Sequence, residues 1–231
     1  MAEHASGRDA GVGAAVGAGS GPRTIYLIRH GEKPPNPPGP GDQPAAVAPP
    51  GTAALGVDAT GCVNDHSLTP RGWQRSGALA VFFGPAAGQD HSPRVVPPSR
   101  VFAPDYGSPA ESAQHRPHQT VEPLARRLGL AIETPVAKGA EADLVRRHLL
   151  QATDEHVLVC WEHEHLTGMI AALAQAVTIE PRPSPDLHWP DDRFDMVLVL
   201  ARADDRPATY RLVQLPQLLL DGDSTEPFTS I

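Results

Sequence analysis

Short apolar runs alternate along the chain with stretches of helical period. Thr24-Ile25-Tyr26-Leu27-Ile28 is a β-branched and aromatic run between Gly21-Pro22 and polar Arg29-His30-Gly31. That pattern predicts a buried strand with charge at its C-terminal end. Thr69 before Pro70 reads as an N-cap with proline in the first turn, opening a helix to about Phe83. This helix is expected to bury Trp73, Leu79 and Phe82 or Phe83. A second strand is predicted at Arg100-Val101-Phe102-Ala103. Ser108-Pro109 opens a helical stretch, and Arg116-Pro117 restarts one that ends at Leu128 before Gly129. Ile132 to Thr134 suits a short edge strand. Leu144, Val145, His148 and Leu149 give helical spacing from Glu141 to Gln151.

A further apolar strand, His156 to Cys160, runs into Trp161-Glu162-His163-Glu164-His165. A helix from Leu166 to Val177 is expected after it, then strands at Asp195–Leu200 and Tyr210–Gln214 as a neighbouring pair. Strand alternating with helix is the order of an α/β protein, here a three-layer α/β/α sandwich around a central, mostly parallel sheet.

Length changes this picture little: 231 residues suit one such domain. The expected organisation is a disordered tail at 1–23, Gly/Ala-rich and unable to bury enough surface to offset chain entropy, and a single domain at 24–231. Inside the domain, 33–67 is dense in Pro and Gly without periodicity, so it reads as an insertion, either a partly ordered flap over the strand end or a disordered segment. The first residues lack the basic-then-apolar order of a secretory signal, and no apolar run nears the ~20 residues of a membrane span. Cys62 and Cys160 make no disulfide framework, and the expected compartment is the cytoplasm.

A formal net charge of −8 argues against nucleic acid, whose backbone asks for a basic surface. A small anion asks only for a local cluster of Arg and His. Arg29 and His30 stand at a strand end, where ligands of open α/β sheets bind. Glu162 to His165 follow another strand. Arg116, with His118, Gln119 and Thr120, opens a helix, whose N-terminal N–H groups favour an anion. With the predicted topology all three meet at one end of the sheet.

Four ordered elements carry a family resemblance. Ile28-Arg29-His30-Gly31-Glu32 resembles the Arg-His-Gly signature of the histidine phosphatase superfamily, which includes cofactor-dependent phosphoglycerate mutases and histidine acid phosphatases. Leu68-Thr69-Pro70-Arg71-Gly72-Trp73-Gln74 is similar to its Leu-Thr-x-x-Gly-x-x-Gln element, and Arg116-Pro117-His118-Gln119-Thr120 to its Arg-x-x-Gln-Thr element. Val157-Leu158-Val159 followed by His163 is similar to the strand that delivers the second core histidine. The resemblance implies that His30 is the nucleophile and that Arg29, Arg116 and His163 clamp phosphate oxygens, with no cofactor and no metal. Phosphoryl transfer asks mostly for positioning and charge neutralisation, which such a set supplies.

Two departures stand out. Ala103-Pro104 occupies the place of a frequent family serine, and the mutase-like acidic segment after the second arginine is absent. Glu164, directly after His163, is the first choice for the acid that protonates the leaving oxygen, with Glu162, Glu141 and Asp143 as alternatives.

The expected function is hydrolysis of small phosphomonoesters. Its rivals are a mutase-like phosphotransferase, a catalytically weak phosphate-binding or interaction module of the same fold, and metal-assisted hydrolysis using Glu162 to His165. The sequence also leaves bland readings open: Thr69 as a cap alone, Gln119 and Thr120 as packing and hydrogen-bonding residues, Arg71 and Lys33 as surface charge. The expected partner is a small phosphorylated substrate, not nucleic acid or a membrane.

Overall fold

The first apolar run forms β1 (Thr24–Arg29), buried over its whole length. In the computed structural model, which describes residues 21–35, 55–85, 95–107, 115–153 and 155–228, α1 (Pro70–Phe83), β2 (Arg100–Phe102), α2 (His115–Leu128) and β3 (Ile132–Glu133) follow. Next come α3 (Glu141–Leu144), which runs into a π-helical turn at Val145–Leu149, then β4 (His156–Trp161) and α4 (His163–Ala176). β5 (Thr178–Glu180), β6 (Met196–Arg202) and β7 (Thr209–Pro216) complete the chain of elements. The strands form one seven-stranded sheet in the order β3-β2-β4-β1-β6-β7-β5. β1 is parallel to β4, β2 is parallel to both β3 and β4, and β5 is parallel to β7, while β6 runs antiparallel to both its neighbours.

The central strands are apolar without a break because both faces of the sheet are covered. Side chains alternate across a strand, so Ile25 and Leu27 of β1 join Val157, Val159 and Trp161 of β4 in one core with Leu166, Met169, Ile170 and Leu173 of α4. Tyr26 and Ile28 join Leu158 and Cys160 in the other core, with Leu79 and Phe83 of α1 and Val121 and Leu124 of α2. Two cores, one sheet and helices on both faces make the three layers.

Thr69 caps α1 as expected, its hydroxyl accepting from the Gly72 N–H at 3.2 Å with Pro70 just inside the helix. Leu79 and Phe83 are buried, but Trp73 is only half-buried; its indole N–H donates to the Val57 carbonyl at 2.7 Å and fastens the end of the insertion to α1. α2 ends before Gly129, which takes the positive φ of 69° that suits a residue without a side chain.

Two expectations are corrected. α4 begins at His163, three residues before the apolar period starts, so His163, Glu164 and His165 occupy a helical first turn instead of a strand end. β5 extends the sheet beyond β7 although no strand was read there.

Gly21 to Arg23 already pack on the domain: the Tyr210 hydroxyl donates to the Pro22 carbonyl at 2.8 Å, and Arg23 N–H donates to Glu155. The rest of the expected tail, the 36–54 part of the insertion and the Ser108-Pro109 start lie outside the described residues. No described helix is long and apolar enough to cross a membrane. Cys62 is exposed and Cys160 buried, and both are free.

Candidate active site

Register brings the two predicted strand ends together. Arg29 of β1 lies opposite Trp161 of β4, and the His30 N–H continues the ladder by donating to the Trp161 carbonyl at 3.1 Å. His163 follows two residues later at the start of α4, whose helix dipole adds partial positive charge there. From α2, the Thr120 hydroxyl accepts from the Gly31 N–H and donates to the Arg116 carbonyl, both at 2.8 Å. The charges of Arg29, Arg116 and His163 all act on His30. The four residues read from the sequence therefore share one end of the sheet.

His30 is 3% exposed. Its Nδ1 lies 2.7 Å from the Gly31 carbonyl oxygen, which can only accept, so Nδ1 carries the proton. Burial, then the neighbouring positive charge of Arg29, holds the ring well below its ordinary range, against the pull of that hydrogen bond. The ring is neutral at pH 7, and its basic lone pair is on Nε2.

The Arg29 guanidinium is fully buried, and burial pushes it down to about 10. One prong is occupied: Nη1 donates to the carbonyls of Pro190, Asp191 and Arg193 at 3.1, 2.6 and 3.3 Å. The plane stacks on Phe194, 3.9 Å from the ring centroid. Nε and Nη2, the edge that binds an oxyanion in two-pronged fashion, are buried without a partner among the described residues. The back of this arginine is anchored and its front is free.

His163 repeats that arrangement. Nε2 donates to Asp191 Oδ1 at 2.7 Å, while Nδ1 is buried with no partner among the described residues. Burial and then the charge of Arg29 lower its basicity, opposed by Asp191 and Glu164. Arg116 is held by the end of the insertion, Nε donating to the Ser67 carbonyl at 3.3 Å and Nη2 to that of Asp65 at 2.6 Å. Gln119 fixes the same segment, accepting from Leu68 N–H at 3.1 Å and donating to the Ser67 hydroxyl at 3.0 Å. Gln119 and Thr120 thus join loops to one another.

The candidate acids separate. Glu164 is exposed on the first turn of α4, and its charge reaches Arg29, Lys33 and His163. Glu162 is paired with Lys138, although its charge reaches Arg116. Glu141 is committed elsewhere, accepting from Gly139 N–H at 2.8 Å and the Trp161 indole at 2.9 Å and facing His165 at 3.1 Å. Asp143 pairs with Arg146 and Arg147 on the surface. The residues from Glu162 to His165 turn to different partners, and among the described residues no three ligating side chains come together.

Three features escaped the sequence. The 181–195 segment supplies Asp191 and Phe194 to the pocket; Leu187, Trp189 and Phe194, apolar residues inside a largely polar loop, were the signal that it docks. Behind the loop that follows β1, Arg75 is buried between Glu32 and Asp223, with Nη2 2.7 Å from an oxygen of each and Nη1 2.9 Å from Gln217. Arg71 also reaches Glu32, at 3.1 Å, and so does more than carry surface charge. Finally, Gly31 and Gly72 meet backbone to backbone: a Cβ on Gly72 would lie 2.4 Å from the Glu32 carbonyl oxygen. The Thr69 N–H donates to that same oxygen at 2.9 Å, closing the insertion at its base.

No protein-family model matches the chain, and no curated protein matches it in sequence. Among solved structures, the "putative phosphohistidine phosphatase SixA" from Agrobacterium tumefaciens matches with a TM-score of 0.40 and 16% identity, over 84% of this chain and 97% of that one. A mycobacterial glucosyl-3-phosphoglycerate phosphatase matches with a TM-score of 0.38 and 10% identity, over the same shares. The likeness lies in the course of the chain; the chemistry rests on the side chains described above.

Proposed function

We propose that the protein hydrolyses small phosphomonoesters through a phosphohistidine on His30. The observation that carries this reading is the pairing of a neutral His30, its Nδ1 proton fixed on Gly31, with the unpartnered Nε–Nη2 edge of Arg29. In the first step Nε2 of His30 attacks phosphorus, the bond to the ester oxygen breaks, and Glu164 gives that oxygen a proton. In the second, water attacks phosphorus, the P–N bond breaks, and Glu164 takes back the proton. Arg29, Arg116 and a protonated His163 offset the charge of the transferring group, the part a metal ion plays in other phosphatases.

The test is release of p-nitrophenol from p-nitrophenyl phosphate in excess EDTA, with His30→Ala as control. Activity that survives EDTA and falls at least about a thousandfold in the variant is expected. Equal activity in both proteins would remove His30 from the chemistry. Loss with EDTA, restored by zinc, would favour metal-assisted hydrolysis.

The exposed position of Glu164 favours one second reading, a phosphate-binding protein with weak turnover. Glu164→Gln separates the two. An acid is needed for an alkyl phosphate and hardly for p-nitrophenyl phosphate, so the variant is expected to lose about a hundredfold on the former only. Phosphate binding without turnover of either substrate would support the second reading.

A further inference from the structure

Two of the three clamps of the pocket share one anchor. Asp191 lies in the segment between β5 and β6, 162 positions from Arg29 in sequence. Its carbonyl oxygen receives the shortest of the three Arg29 Nη1 hydrogen bonds, at 2.6 Å, and its carboxylate receives Nε2–H of His163 at 2.7 Å. Both contacts are on the rear of the clamp residues. Both leave a buried, partnerless front: Nε and Nη2 of Arg29, and Nδ1 of His163. The Asp191 side chain is itself 86% exposed, so nothing in the core requires it.

We propose that Asp191 is the positioning residue of this pocket, its carbonyl aiming the free edge of Arg29 and its carboxylate holding His163 as the cation that meets a phosphate oxygen. The inference rests on the reading of the pocket as a phosphoryl site. The chemistry follows from proton placement. With Nε2–H committed to Asp191, a neutral His163 presents a bare lone pair at Nδ1, which repels an oxyanion. Only the imidazolium can donate there, and its positive charge needs a partner. Asp191 is that partner, as carboxylates are for histidines elsewhere.

The other charged and titratable groups facing the pair are Arg29 and His30 from the end of β1, Glu164 on His163's own helix, and His188 from the segment that carries Asp191, with Lys33 reaching Asp191 across the pocket. Arg29 opposes a positive charge on His163, and Glu164 favours it. Asp191 is the one that touches the ring. Phosphate binding is therefore coupled to proton uptake by His163, with Asp191 setting how much uptake is needed.

Asp191→Asn keeps an acceptor for Nε2–H and removes the charge; Asp191→Ala removes both. The His163 ring is followed by NMR from pH 4 to 9 in phosphate-free buffer, its signal identified by its loss in His163→Gln. The midpoint is expected to fall by about one unit in Asp191→Asn, tenfold less imidazolium at a given pH. Calorimetry with inorganic phosphate at pH 7, in buffers of different ionisation enthalpy, is expected to give about tenfold weaker binding and larger proton uptake in the same variant. A merely structural role for the loop would leave the proton count unchanged. The inference is overturned if the His163 midpoint is the same in the wild type, Asp191→Asn and Asp191→Ala, with melting temperatures confirming folded protein. If the midpoint moves but the wild type binds no phosphate, the Asp191–His163 pair stands and the phosphatase reading falls.

Discussion

Replacing Arg75 with methionine removes the centre of the ion network behind the loop that follows β1. The Arg75 side chain is 2% exposed and that of Asp223 3%, so the variant keeps a buried carboxylate and loses the guanidinium that matches it. Breaking a buried pair from one side costs about 3–5 kcal/mol. Some compensation survives. Arg71 stays within 3.1 Å of Glu32 and 3.5 Å of Asp223, and the N–H groups of Leu219 and Leu220 donate to Asp223. The expected loss at pH 7 is therefore at the lower end, about 3 kcal/mol, or about 6–12 °C in Tm for a chain of this size.

The pH dependence has a definite sign. Burial raises the Asp223 carboxyl, but hydrogen bonds from Arg75 and the backbone outweigh it and hold the group below its ordinary range. A depressed folded value contributes stability that is complete above the unfolded value of about 3.9 and is lost as pH falls through the folded one. Methionine removes this contribution, so the gap between the two proteins is widest near neutrality. It narrows in acid, where the variant can protonate its stranded carboxylate. Urea denaturation at pH 7 and pH 4 measures both gaps. A difference below about 1 kcal/mol at pH 7, or the same difference at both values, would refute the reasoning.

Three other substitutions probe the site. Arg29→Lys keeps the charge but cannot hold three carbonyls and an oxyanion at once; phosphate affinity by calorimetry is expected to fall about a hundredfold, and a change under threefold would mean the fork is dispensable. His30→Gln tests the cost of a buried neutral imidazole. Only the unfolded wild type takes up that proton just below pH 6.5, so wild-type stability falls with acidification by up to about 1.4 kcal/mol per pH unit, and thermal melts of the variant should be flatter from pH 6.5 to 5. Gly72→Ala would push a Cβ into the backbone of Glu32, and overpacking of this kind costs about 1–3 kcal/mol; urea melts that coincide with the wild type would contradict the close approach.

Much of the fold could be read because its signals are local. β1, β4 and β6 are continuous apolar runs, and α1 and α2 carry their start signals in Thr69-Pro70 and Arg116-Pro117. Parallel pairing then carries Arg29, His30 and His163 to one place, which is why the two strand ends, with the helix start at Arg116, pointed to one candidate pocket.

The misreadings are of two kinds. α4 starts early because its first turn is polar, with His163 and His165 paired to Asp191 and Glu141 and Glu164 exposed; hydrophobic period begins only at Leu166, beyond the charged turn. β5 has three residues, too few to display a period of two before Pro181. Asp191 and Arg75 were invisible for a different reason. Each acts through partners more than 25 positions away in sequence, Asp191 on Arg29 and His163, and Arg75 on Glu32, Gln217 and Asp223. Local pattern carries no information about such meetings.

The hydrogen bond from Thr69 to Glu32 gives the insertion a narrow neck, with entry and exit pinned to the same carbonyl oxygen. A segment attached in this way is a cassette. Its length and sequence can change with little effect on the scaffold, since each doubling of a loop costs only about 0.6 kcal/mol in closure entropy. Its exit, at Asp65 and Ser67, is also where Arg116 is held. Exchanging the cassette above that exit therefore leaves the hold on Arg116 in place. Variation and anchorage are assigned to separate stretches of one chain.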